Sequence, residues 1–194
     1  MKSDNHTPRR IFLKSSLITG ATLSAILTRT SFGKESGKEE SKTEDGKPAG
    51  AADHFCKGLA GPARLSLATS RIAQEKASDK TVKAFAGFEL AETTAVLSVL
   101  QDLEIPEPQP DPKDQAVLAA MQAAESGLGF DRAYIKAQIE NHQILHDHTA
   151  GYLEKSSGGG PAEKHARHLA ALALTTIREH MAICQHISQA LNNA

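Results

Sequence analysis

Residues Glu104 to Gly129, EIPEPQPDPKDQAVLAAMQAAESGLG, decide how the rest of the chain is arranged. Pro106, Pro108 and Pro110 lack the amide donors that a continuing helix needs, so whatever helix precedes them ends here. Asp111 followed by Pro112 is an N-cap and first-turn pair, and it opens a short helix that runs to about Glu125. Gly127 and Gly129 then break the chain again. The segment is a connector with its own helix of about fifteen residues, which at ~1.5 Å per residue covers roughly 22 Å. A tight turn needs no such length. The connector can travel from one end of a helical bundle to the other, which makes the long helices on its two sides parallel.

Working outward, Ser78 or Asp79 caps a helix from about Lys80 to Leu103, with Val82, Phe85, Ala86, Leu90, Leu97 and Leu100 as its apolar stripe. A helix from about Ala52 to Ala77 precedes it, with Leu65, Ala68, Ile72 and Ala73 at helical spacing. The Gly61–Pro62 pair predicts a kink or a fresh start within it. Beyond the connector, a third long helix starts near Phe130 and reaches about Lys155, carrying Phe130, Tyr134, Ala137, Leu145 and Tyr152. Ser156 to Gly160, SSGGG, is a loop. Pro161 opens the last helix, which continues to about Leu191 through Leu169, Leu172, Ile177, Ile183 and Ile187. Two hairpins joined by a long connector predict an all-α, ferritin-like four-helix bundle over residues 51–194, with a long crossover containing a short extra helix.

Composition agrees. In 194 residues Trp is absent and aromatics make up only 4%, leaving little from which to build a sheet. The length suits one hydrophobic core once the first fifty or so residues are set aside. A net charge of −1 provides no basic field, which excludes nucleic acid and an anionic membrane as partners. Cys56 and Cys184 form no CxxC pair and no zinc-site spacing. In the ferritin-like arrangement they lie at opposite ends and are free thiols, whereas an up-down-up-down bundle would bring them together.

The N-terminus reads PRRIFLK from Pro8 to Lys14. Arg9, Arg10, Phe12, Leu13 and Lys14 resemble the twin-arginine export motif, and only the first position, Pro8, departs from it. The apolar run from Ser15 to about Leu27, diluted by Gly20, Thr22 and Ser24, is too short and mild for a stable membrane anchor. No Cys closes that run, which argues against a lipid anchor. The expectation is a signal peptide over 1–33, the twin-arginine translocase as partner during export, and a periplasmic or otherwise extracytoplasmic location. From Lys34 to Gly50, KESGKEESKTEDGKPAG contains no large apolar residue that would offset the entropy of ordering, so 34–50 reads as a disordered spacer.

Several fragments stand in a telling order: KAS at Lys76 to Ser78, VKAFA at Val82 to Ala86, FDRAY at Phe130 to Tyr134, then His142 and His180. In these the chain resembles domain-of-unknown-function family 4142, from about Phe55 to Ile187. The resemblance implies an exported ferritin-like bundle with an acidic residue in the first long helix and a His in each of the other three. Ser66 falls where the acid would be and Thr93 where the second-helix His would be. His142 and His180 remain.

Helical rise alone leads to the same region. In the parallel arrangement Ser66, Thr93, His142 and His180 all lie about 18 Å from one end, and bundle cores build metal sites at such levels. A two-iron site would need a Glu-x-x-His pair on each of two helices, and the chain has none. The nearest substitutes are Glu89 with Glu92 and His142 with His146. The expectation is at most a partial site for a single transition-metal ion, with Glu89, His142 and His180 as ligands and Glu89 in place of the lost imidazole. Against this, His142 and His180 have a plain reading as hydrogen-bonded core histidines. His146, His148, His165 and His168 are expected on wet faces, Phe130 and Tyr134 in the core, and Asp131 as an early-turn acid favoured by the helix dipole. There is no GxSxG and no Cys–His pairing, so no catalytic residue is assigned. The leading expectation is an exported, non-catalytic binding or envelope-maintenance module; the alternative is a metal-binding protein.

Overall fold

The structure is a computed structural model, and it describes residues 50–194. The expected signal peptide, and the spacer apart from Gly50, lie outside those residues. Five helices follow in order: α1 (Ala51–Lys76), α2 (Lys80–Asp102), α3 (Pro112–Ala123), α4 (Leu128–Lys155) and α5 (Pro161–Asn192). No strand occurs among the described residues. No helix among them is long and apolar enough to cross a membrane.

The helix starts follow from local chemistry. The Asp79 carboxylate accepts from the Thr81 and Val82 amides at 2.7 and 3.0 Å, satisfying two of the donors that an α-helix leaves free at its start. Asp111 accepts from the Lys113 amide at 2.7 Å, with Pro112 in the first turn of α3. α2 stops before the prolines rather than at them. Glu104 takes a φ of 55°, and the Ile105 amide reaches back to the Leu100 carbonyl at 2.9 Å, a Schellman closure in which a glutamate fills the place usually held by glycine.

Side-chain ties between the helix ends fix the topology. Asp131, in the first turn of α4, holds Ser78 and Asp79 between α1 and α2. Arg132 donates to the Leu191 carbonyl at the end of α5, from Nε at 3.1 Å and Nη2 at 2.6 Å. At the other end, Phe55 of α1 stacks on Tyr152 of α4 with ring centroids 4.4 Å apart. So α2 and α4 run parallel, α1 and α5 run the other way, and α3 makes the end-to-end crossover against α1 and α4. This is the all-α bundle with a helical crossover that the connector implies. α2 and α5 are also neighbours, through Glu89 and His180, but their backbones stay further apart than those of the other adjacent pairs.

Two apolar cores occupy the ends. One gathers Val82, Phe85, Phe130, Tyr134, Cys184 and Ile187, with Met121 of α3 beneath them. The other gathers Phe55, Cys56, Leu59, Leu100, Tyr152 and Ala170. Each large side chain fully buried there stabilises the fold by ~1.5–3 kcal/mol, so the ends carry the stability. Between them lies a polar layer made of Ser66, Thr69, Ser70, Glu89, Gln138, Asn141, His142 and His180, all buried.

Some details differ from the sequence expectation. α1 does not start afresh at Gly61 and Pro62 but continues through them; Asn141 Nδ2 donates to the Pro62 carbonyl at 3.0 Å, supporting the backbone next to the missing amide. The buried face of α1 is Ser66, Thr69, Ser70 and Ala73, while Leu65, Ala68 and Ile72 sit at its edges. On α5, Leu172 and Ile183 are exposed, and Ala166, Ala170 and Leu174 take the inner face. His148 leaves the wet face: it stacks on Phe55 and bonds the Phe55 carbonyl at 2.9 Å, lying over Gly58 where a Cβ would collide with the ring.

Candidate metal centre

Each polar side chain of the middle layer occupies a position that its helix turns inward. On α2, Val82, Phe85, Ala86 and Glu89 follow one another at spacings of three, one and three, so Glu89 continues an apolar stripe. On α4, Phe130, Tyr134, Gln138 and His142 repeat every four residues on one face. On α5, His180 lies between Ile177 and Cys184. Ser66 completes the ring from α1. Four helices thus deliver one group each to a common level.

Glu89 Oε1 lies 2.5 Å from His180 Nδ1 and 3.1 Å from His142 Nε2, and the two ring nitrogens are 3.3 Å apart. Glu89 is 2% exposed, His142 3% and His180 7%, so the cluster is dry but for one edge. The outer nitrogens have their own partners. His142 Nδ1 bonds the Gln138 carbonyl at 2.8 Å, and because a carbonyl only accepts, Nδ1 carries a proton there and Nε2 is the nitrogen turned inward toward Glu89. His180 Nε2 lies 3.2 Å from Glu92 Oε2, an acceptor for a proton on Nε2, and with the proton held there Nδ1 would be free to ligate an ion. The Ser66 hydroxyl donates to Glu89 Oε2 and fixes the carboxylate.

Electrostatics follow. Burial raises the Glu89 carboxyl, but hydrogen bonds from His142 and His180, the His142 charge and the Ser66 hydroxyl outweigh it and hold the group at about 2. Burial lowers His180, yet Glu89, Glu92 and Glu179 together raise it above its usual value. Behind Ser66 a chain of hydrogen bonds continues: Gln138 Nε2 donates to Thr69 Oγ1 at 3.0 Å, and Ser70 Oγ pairs with the Tyr134 hydroxyl at 2.8 Å.

Two imidazole nitrogens and a carboxylate oxygen suit a first-row divalent ion such as zinc or iron(II). Around a tetrahedral ion with bonds of ~2.0–2.1 Å, donors sit ~3.3 Å apart, close to the two longer separations here. Only His180 Nδ1 and Glu89 Oε1 need to open. The donor set and the outer partners fit a single ion, and among the described residues no other group of three or more His, Cys, Asp or Glu converges.

The three residues named from the sequence are therefore brought together, with Ser66 beside them. Thr93 is not: its hydroxyl turns back to the Glu89 carbonyl within α2. His146 turns to Asp147 at 3.1 Å, and His165 and His168 are exposed. Gln138, Thr69, Ser70 and the outer role of Glu92 escaped the sequence reading. The repeat of four from Phe130 to His142 is the signal that points to Gln138.

Fold and site together define an all-helical bundle, two hairpins joined by a helical crossover, with a carboxylate and two imidazoles converging at its middle. Over residues 37–187 the chain matches the model of a domain of unknown function, DUF4142, and it belongs to that family. No curated protein and no solved structure matches it.

Proposed function

We propose that this protein is an exported, ferritin-like bundle that binds a single transition-metal ion through Glu89, His142 and His180. One observation supports this above the rest: His142 Nε2, His180 Nδ1 and Glu89 Oε1 converge within 3.3 Å of one another in a buried interior, while the Gln138 carbonyl holds the other nitrogen of His142 outward. When bound, the ion supplies a Lewis-acidic centre; the chain's own residues hold it, fix the ring tautomers and keep water out.

A second reading has its own support. The 2.5 Å contact of His180 Nδ1 with Glu89 Oε1 is that of a strong charge-assisted hydrogen bond, as expected if the cluster is a structural ion pair in a non-catalytic scaffold. Metal analysis separates the two. The protein, folded in the cytoplasm and dialysed against Zn²⁺ or Co²⁺, is expected to retain one ion per chain. A His142→Ala, His180→Ala double variant should lose it, while His165→Ala, His168→Ala retains it. Metal-free wild-type protein with unchanged thermal stability in excess ion sinks the metal reading.

The PRRIFLK motif supports export by the twin-arginine translocase to a periplasmic or otherwise extracytoplasmic location. With Arg9 and Arg10 both changed to Lys, the full-length chain is expected to stay in the cytoplasm by fractionation; export at the wild-type level counts against this route.

A further inference from the structure

Taking Glu89, His142 and His180 as the ligands, we infer that the ion enters and leaves between α2 and α5, and that Glu92 and Glu179 are the carboxylates that receive it at that mouth. Two other walls of the cluster are closed. Ser66 and Gln138, each 1% exposed, back it on the α1 and α4 side, over which α3 is laid. Phe85, 2% exposed, seals the near core, with its ring centroid 5.3 Å from that of His180 and 6.4 Å from that of His142. Only toward α5 do the backbones stand apart, and there the Glu92 side chain, 46% exposed, touches both solvent and His180.

The mouth is built to attract cations. Glu179 is exposed and directly precedes His180 on α5, and Glu92 reaches the same imidazole from α2, so each of the two helices brings a carboxylate to this edge. From Ala84 to Leu103, α2 carries no Lys or Arg to oppose them. Phe88 and Ile183, at 61% and 41% exposure, lie one turn from Glu92 and Glu179 and offer an ion no competing donor. An anionic opening over an apolar rim concentrates field and raises the local cation concentration. Glu92 then hands the ion on, since its own oxygen already lies 3.2 Å from the outer nitrogen of a ligand ring.

Stopped-flow binding of Co²⁺ to the whole protein, read by ligand-field absorbance, tests this. Gln at 92 keeps an acceptor for His180 Nε2 while removing the charge, so Glu92→Gln isolates entry from ring positioning. Both Glu92→Gln and Glu179→Gln should slow association, together by about tenfold. Dissociation should not accelerate, and the slowing should shrink in high salt. Saturable one-to-one binding with unchanged association in the double variant overturns the entry route while leaving the metal site standing. So does normal association with faster release, which would assign Glu92 to ring positioning alone. Wild-type protein that binds no Co²⁺ removes both the route and the site.

Discussion

Asp131 is fully buried, and its carboxylate accepts from the Ser78 amide at 3.1 Å, the Asp79 amide at 2.9 Å and the Ser78 hydroxyl at 2.5 Å. Changing it to Ala takes the shared acceptor from two part-buried amides, at an expected cost of ~1–3 kcal/mol in urea unfolding. A loss below about 1 kcal/mol would mean that water replaces the carboxylate. The sequence places Asp131 in the first turn of its helix, where the dipole alone would favour an acid. Its actual partners lie more than fifty residues earlier and leave no local trace. The convergence of Glu89, His142 and His180 was more legible, because constant helical rise converts residue number into height. Height says nothing about which way a side chain faces within α1, and there the buried Ser66, Thr69 and Ser70 interrupt the apolar stripe from which orientation is read.

At the scale of elements, boundaries were easiest to foresee where a cap or a proline marks them, as at Asp79, Asp111 and Pro161. The end of α2 is different. Pro106 forbids continuation but does not say how the chain turns, and Glu104 turns it in the left-handed region, where a side chain is disfavoured relative to glycine. Glu104→Gly is expected to stabilise the fold by about 0.5–1 kcal/mol, raising the thermal midpoint by a few degrees. Unchanged or lower stability would show that the Glu104 side chain contributes more than its backbone costs. The continuity of α1 through Pro62 belongs at this scale too: propensity favours a break, but packing of Asn141 against the turn holds the helix together.

For the molecule as a whole, the connector's length set the topology, and the cysteines check it. Cys56 and Cys184 are free and buried in opposite cores, as the parallel arrangement of α2 and α4 requires. Burial raises both thiols; for Cys184 burial and the nearby Glu89 charge push it up to about 12. A thiol so raised stays protonated, and hence unreactive, throughout the pH range below that value. Iodoacetamide at pH 8 should therefore label neither cysteine in the native protein and both in guanidinium. A Cys56–Cys184 bridge found by peptide mapping would demand a different path for the crossover.

The donors of the central layer are divided between the hairpins: Ser66 and Glu89 belong to the first, Gln138, His142 and His180 to the second. Neither half of the chain owns a usable set. An ion lodged there would act as a rivet through the seam where the halves meet, and its residence time would gauge how firmly they are pressed together. Loosening either apolar end, with every donor left in place, would then register first as metal leakage.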